Sequence, residues 1–334
     1  MSIAELVNRH GEEYSPYQGN LVNHLPMGQL AYFKLTGDLK GAEEFTKKYI
    51  QRASINPVKE DFQKSDDIWK CVENREGYEA CLALVKEELT VDNWRDYTFK
   101  ILDKLKFGMS SGLFHTLIRT AYAVEGMQED EDYVHELRRA IAYYITAYKG
   151  AGAFEVSIEG ERIIHEMENL LNNPNIGRLL EEENTMGMKL KTLYSNPMYN
   201  KLGFLIEGEP RDKVGALLDL LIPAYRDTDS IVVLHCITGL HALVVLKDFF
   251  EDYSYALDIM TTCIISHLLT VDELSVREEE VDLIPESWDE IGGLASKSID
   301  VHTIKLAYTA GQMDKLFDKP QLKTIAMRRI KRTK

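Results

Sequence analysis

Through most of this chain apolar residues recur every three or four positions, not every second one, as in Leu102, Leu105, Leu113 and Leu117 or Val134, Leu137, Ile141 and Tyr144. That period belongs to helices with one buried face, so the spacing predicts an all-α fold. Helices are expected over 25–36, 39–51, 75–88, 92–106, 112–126, 131–148, 159–172, 213–225, 230–250, 253–269 and 300–315. Prolines mark expected starts or breaks: Pro26 just after His24, Pro223 inside an apolar stretch, and Pro285 before Trp288.

No Pro/Ser/Gly-rich linker divides the chain, and helix lengths and punctuation do not repeat at a fixed period. Gly150-Ala151-Gly152 reads as a turn, and the polar stretch 172–200 as loop and short helix. The expectation is one irregular multi-helical domain over 1–334. Because 334 residues exceed the ~250–300 at which single cores usually stop growing, two apposed helical halves are the alternative.

Charge narrows the partners. Asp and Glu number 54 against 39 Lys and Arg, a net charge of −15, which repels polyphosphate and argues against nucleic acid. The basic stretch 323–334 reads as a solvated helix end. Met1–Tyr14 lacks an apolar signal-peptide core and no run approaches the ~20 apolar residues of a membrane span, so a cytoplasmic protein without membrane contact is expected. Cys71, Cys81, Cys236 and Cys263 show no C-x-x-C spacing, which excludes a zinc ribbon and predicts free thiols.

Familiar catalytic motifs are missing. Gly150-Ala151-Gly152-Ala153-Phe154 lacks the third glycine and the preceding strand of a dinucleotide site, and neither a P-loop nor Gly-x-Ser-x-Gly occurs. His165-Glu166-Met167-Glu168-Asn169 begins like a zincin helix but has Asn where the second ligand must stand. Of the residues three before each histidine only Asp132 is acidic, so the paired Glu-x-x-His of a di-iron carboxylate site cannot be built.

What remains is a set of histidines in apolar surroundings. His10, His135 and His165 lie among charges and are expected to face water, whereas His24, His115, His235 and His302 sit in or beside apolar helical runs. A buried imidazole needs partners; one alone reads as a core residue bonded to a carbonyl, but four on separate helices also suit a shared metal. His241 follows His235 by six residues, about 120° around a helix, and reads as packed or in an outer layer. Cys263 and His267, four apart, share a face and form a weaker candidate pair. Lys305 shares a face with His302 and has four readings: an ion pair, a snorkelling cation, a base with lowered pKa, or a lysine carbamylated by carbon dioxide.

Four short blocks, Asn23-His24-Leu25-Pro26-Met27, Gly112-Leu113-Phe114-His115-Thr116-Leu117-Ile118, His235-Cys236-Ile237-Thr238 and Asp300-Val301-His302-Thr303-Ile304-Lys305, resemble in order the signature blocks of the questin oxidase-like family. They span 23 to 305, most of the chain. The resemblance implies an all-helical protein whose fungal relatives oxidise aromatic polyketides, opening anthraquinone rings by Baeyer–Villiger-type or dioxygenase chemistry. It also implies a mononuclear non-haem Fe(II) held by His24, His115, His235 and His302 with a modified Lys305, and NADPH dependence in some members. Met27 stands where the fungal proteins tend to carry a second histidine.

The function expected on this basis is an oxygen-dependent oxidoreductase acting on a cyclic, aromatic or quinone-like small molecule. Tyr122, Tyr308 and Trp288 are candidates to flank the substrate, and Arg119, four residues after His115, to bind an anionic group, although a surface ion pair also suits it. The alternative from another class is a non-catalytic helical binding or scaffold protein with structural histidines.

Overall fold

The apolar periodicity resolves into seventeen α-helices in the computed structural model, which describes residues 1–19, 21–277 and 284–333. Before the Gly150–Gly152 turn run α1 (Ile3–Glu13), α2 (Leu25–Thr36), α3 (Leu39–Arg52), α4 (Tyr78–Glu88), α5 (Trp94–Lys104), α6 (His115–Met127) and α7 (Val134–Thr146). After it run α8 (Ile163–Leu171), α9 (Pro174–Glu181), α10 (Met186–Tyr194), α11 (Pro197–Leu202), α12 (Pro210–Thr228) and α13 (Ile231–Val245). The series closes with α14 (Tyr253–Leu268), α15 (Trp288–Ala295), α16 (Val301–Phe317) and α17 (Gln321–Arg332). Strands β1 (Tyr17–Gln18) and β2 (Leu21–Val22) pair antiparallel, Tyr17 opposite Val22; β3 (Val156–Ile158) and β4 (Phe204–Ile206) pair parallel, Val156 opposite Phe204. No helix among the described residues is long and apolar enough to cross a membrane.

One contiguous apolar core extends from Ile3 to Ile330 among the described residues, consistent with one multi-helical domain. At its centre α13 buries every residue from Val233 to Leu243, as a helix apolar all round must, and packs against α6, α12, α14 and α16. Two glycines permit close approaches near the centre: a Cβ on Gly239 of α13 would lie 2.7 Å from the Phe114 ring, and one on Gly28 of α2 would lie 2.6 Å from Val301.

Several expectations change. Pro223 does not break its helix; α12 continues through it to Thr228. The polar stretch 172–200 is mostly helical, because Asn173, Thr185 and Asn196 each accept a backbone N–H at the start of α9, α10 and α11, with Pro174 and Pro197 in the first turns. Helices α1 and α15 begin at capping boxes, Ser2 with Glu5 and Ser287 with Glu290. The basic stretch is a helix end, that of α17, with Arg328, Lys331 and Arg332 exposed; it also buries Ile325 and Ile330, and Arg329 and Arg332 reach the carboxylates of Asp300 and Asp229. Lys334 lies outside the described residues.

Candidate metal centre

Local structure delivers each clustered histidine. His24 follows β2 at the cap of α2, where its backbone N–H donates to the Tyr49 hydroxyl at 3.1 Å. His115 opens α6 after three successive left-handed residues, Gly112 (φ 59°), Leu113 (57°) and Phe114 (63°). Two of these are bulky, a conformation that costs roughly 1–2 kcal/mol for each and persists only where packing enforces it. Phe114 is fully buried, against Gly239 and the His267 ring. His235 sits in α13, and His302 lies in the first turn of α16, whose cap Asp300 accepts the His302 backbone N–H at 3.1 Å.

These four imidazoles meet. Donor atoms of His24, His235 and His302 all lie within 4.8 Å of one another. His115 joins through His24, Nε2 to Nε2 at 2.6 Å, and through ring contact with His235, centroids 4.4 Å apart. Each ring is tied back by Nδ1: His24 to Val22 O at 2.7 Å, His115 to Gly112 O at 2.5 Å, His235 to Ile231 O at 2.7 Å, and His302 to Asp300 Oδ1 at 3.0 Å. Carbonyl and carboxylate oxygens only accept, so Nδ1 carries the proton in every ring and Nε2 is left with a lone pair. His235 Nε2 is sealed from solvent without a partner, and so is the Nζ of Lys305.

The electrostatics agree. Burial, with Lys305 and the neighbouring histidines, holds His24 and His235 well below the usual imidazole range; burial and the other histidines do the same to His115. Burial also lowers His302, although its bond to Asp300 opposes this. Burial works to raise the Asp300 carboxyl, but the His302 bond and the charges of His302 and Arg329 outweigh it and keep it ionised. Burial brings Lys305, which is fully inaccessible, down to about 7. The result is a set of neutral nitrogen donors, the form that binds metal, and one of them is oriented by a carboxylate in the manner of metal-ligating histidines. Ligands held at ~2.1 Å from one ion place their donor atoms roughly 3–4 Å apart, so the set needs only small adjustments to fit one.

The cluster forms the floor of a cavity of about 1350 Å³ that opens to the surface. Its walls are mainly apolar, with Leu21, Val22, Leu113, Ile231 and Ile299 from the cluster side and Met186, Met188, Leu190 and Tyr194 from α10. That is room for a multi-ring small molecule.

The sequence candidates divide sharply. Arg119, Tyr122, Trp288 and Tyr308 do not line this cavity. Arg119 is buried, not on the surface: its Nε and Nη2 donate to Glu136 at 2.7 and 3.2 Å, while its Nη1 is buried without a hydrogen-bond partner among the described residues. Arg119 and Tyr122 border a void of about 10 Å³, enough for one water. Tyr308 donates to Glu125 at 2.5 Å and its ring centroid lies 5.8 Å from that of Tyr122, while Trp288 Nε1 donates to Asp314 at 2.7 Å. These aromatics fasten helices together. Met27 borders the same small void as Arg119, away from the cavity.

His135 and His165 are exposed, but His10 is half-buried and donates to Leu6 O at 2.8 Å. His241 is packed in the core, edge-on to Tyr308, and burial lowers it to about 4. Cys263 and His267 separate: only His267 lines the cavity. All four cysteines are buried free thiols. Sequence reasoning missed Asp300 and Arg329 as the props of His302; the acid two residues before a candidate ligand was the available signal. No protein-family model matches this chain, and no curated protein matches it.

Proposed function

We propose that this protein is an oxygen-dependent oxidoreductase whose mononuclear non-haem iron is held by His24, His115, His235 and His302, with Lys305 as an anionic carbamate ligand, and that it oxidises a cyclic, aromatic or quinone-like small molecule. One observation carries the metal reading: the Nε2 lone pairs of His24 and His115 face each other at 2.6 Å while both Nδ1 protons are committed to carbonyls. Two lone pairs at that separation repel, and burial opposes a proton between them; around one ion the two nitrogens would move apart to about 3 Å or more and both face it. The ordered blocks that resemble the questin oxidase-like family support the same ligand set and the substrate class.

Ferrous iron, when bound, supplies activation of dioxygen. The chain's own residues do the rest. The Nδ1 bonds fix each ring, Asp300 holds His302 and is itself held by Arg329 at 2.6 Å, and the apolar walls exclude water around a planar substrate. Lys305 in its cationic form would repel a metal. Its neutral amine adds carbon dioxide and releases one proton, giving an anionic oxygen ligand for which four neutral imidazoles leave the charge open. No nucleotide motif supports NADPH, so a reductant, where the reaction needs one, acts through a partner.

Elemental analysis after gentle purification and anaerobic Fe(II) addition tests the reading: about one equivalent of metal per chain is expected, with zinc or nickel as substitutes. Less than a tenth of an equivalent overturns it. Lys305→Arg keeps charge and length but neither takes up carbon dioxide comparably nor deprotonates, so it should lose metal, and Lys305→Glu should restore part. Full occupancy in Lys305→Arg, with no added mass on Lys305 under bicarbonate, would remove the carbamate and leave the histidines.

A further inference from the structure

Among the described residues, three buried nitrogens at the histidine cluster or on the cavity wall lack a hydrogen-bond partner: His235 Nε2, Lys305 Nζ and His267 Nε2, of which His235 and His267 line the cavity. The first two belong to the metal centre. His267 does not. It stands on α14, its ring centroid is 4.7 Å from that of Phe114, and it makes no ring contact with the four clustered histidines. It is 1% exposed, yet it lines the cavity.

Its chemistry is restricted to one role. Nδ1 donates to Cys263 O at 2.7 Å, one turn back on its own helix, so Nε2 is an acceptor with nothing to accept. An acceptor sealed away in that condition is destabilising, and the surrounding run, Cys263-Ile264-Ile265 and Leu268-Leu269, would accommodate leucine without that penalty. Burial keeps the ring neutral near pH 7, with its pKa lowered to about 4, so no proton occupies the position. Tyr194 of α10 lines the same cavity, its hydroxyl buried beside those of Ser110 and Ser266.

We propose that His267 Nε2 is a hydrogen-bond-accepting subsite for a hydroxyl group on a planar, otherwise apolar ligand occupying the cavity. This rests on the small-molecule site proposed above and adds a requirement to it: the ligand presents its hydroxyl as a donor, and an ether of the same shape is discriminated against.

The test is calorimetric titration with 2-naphthol and with 2-methoxynaphthalene, measuring metal content on the same samples. The unaltered protein should bind the naphthol at least about tenfold more tightly, because a buried acceptor rejects a ligand that cannot satisfy it. His267→Leu should bring the two ligands within about twofold at unchanged metal content, and His267→Gln, which restores an acceptor oxygen, should recover part of the preference. On the unaltered protein the His267 Nε2 nitrogen resonance should move with 2-naphthol and stay with the ether, a readout that does not depend on any variant folding. Equal binding of the two ligands, an unmoved resonance, a tenfold preference retained in His267→Leu, or loss of metal in that variant overturns the subsite. The metal reading fails separately, as metal-free protein that still prefers the naphthol.

Discussion

Two buried polar clusters in this protein are built on opposite plans. In the first, the Glu136 carboxylate lies between two guanidinium groups, taking Arg119 Nε at 2.7 Å and Arg139 Nε at 2.9 Å, while Arg139 Nη2 donates to Asn8 at 2.6 Å. Positive and negative charges answer one another inside the chain. In the second, four imidazoles and a lysine bring nitrogen to nitrogen, and the acid bonded to one of them, Asp300, faces the outer side of its ring. The first cluster balances its charges internally and joins helices, with only Arg119 Nη1 left over among its guanidinium donors; the second gathers one kind of donor atom that has no such partner within the cluster.

The most severe way to break the comparison is to strip the first cluster of its acid. Glu136→Ala leaves two buried guanidiniums uncompensated and should destabilise the protein by about 3–5 kcal/mol in urea unfolding. Metal content per folded molecule should stay at the parent level. A comparable loss of metal would mean that the two clusters act as one.

His241 supplies a third case, a histidine buried alone. Its folded pKa of about 4 lies below the ordinary 6.5, so on acidification the unfolded chain takes up the proton first. Its stabilising contribution is therefore complete above pH 6.5 and is lost as the pH falls toward 4, about 3 kcal/mol in all. His241→Phe should flatten that part of the stability curve, measured by thermal unfolding across pH 4–7. A curve of unchanged slope would show that His241 is not held neutral.

Removing one ligand from the second cluster should weaken metal affinity by about a hundredfold, or ~2.7 kcal/mol, for each of His24, His115, His235 and His302 changed to Ala. Competition with a chromophoric chelator reads this directly, and the exposed His165→Ala is the control. Unlike Glu136→Ala, these variants should leave the metal-free protein nearly as stable as the parent. Retention of parental affinity in all four would dissolve the shared site.

The smallest effect sharpens the contrast. Asp300→Asn keeps the shape of the prop but weakens its pull on the His302 Nδ1–H, and should lower metal affinity about tenfold. Arg329→Met, which frees the carboxylate without removing it, should fall between Asp300→Asn and the parent in the same chelator competition.

Much of this arrangement was legible before any coordinates. The three-and-four spacing reports which face of a helix is buried, so α2, α13 and α14 fall almost where the sequence predicts them. Histidines amid apolar residues are conspicuous for the same reason, since only a partnered or functional imidazole is tolerated there. What spacing does not report is the partner across a helix interface. Nothing around Arg119 announces that Glu136 stands opposite it, and the aromatic character of Tyr122, Trp288 and Tyr308 is the same whether they face a ligand or a carboxylate. The cavity was invisible because α10, which supplies Met186, Met188 and Tyr194 to its wall, is only nine residues long, too short for its spacing to report which face meets a cavity, and it starts at a Thr185 cap.

The Nδ1 tethers of the four histidines have a consequence in time. His24 and His302 are separated by 278 positions (302 − 24), and Arg329 follows later still, so at ~5–20 residues per second the ribosome delivers the first ligand roughly 15–55 s before the last. No two of the four are close enough in sequence to capture an ion locally as they emerge. The tethers run instead to nearby carbonyls, Val22 for His24, Gly112 for His115 and Ile231 for His235, and each forms with its own helix terminus or turn, without metal. These three rings are thus held by contacts local in sequence, and on the proposed reading an ion would meet rings already oriented.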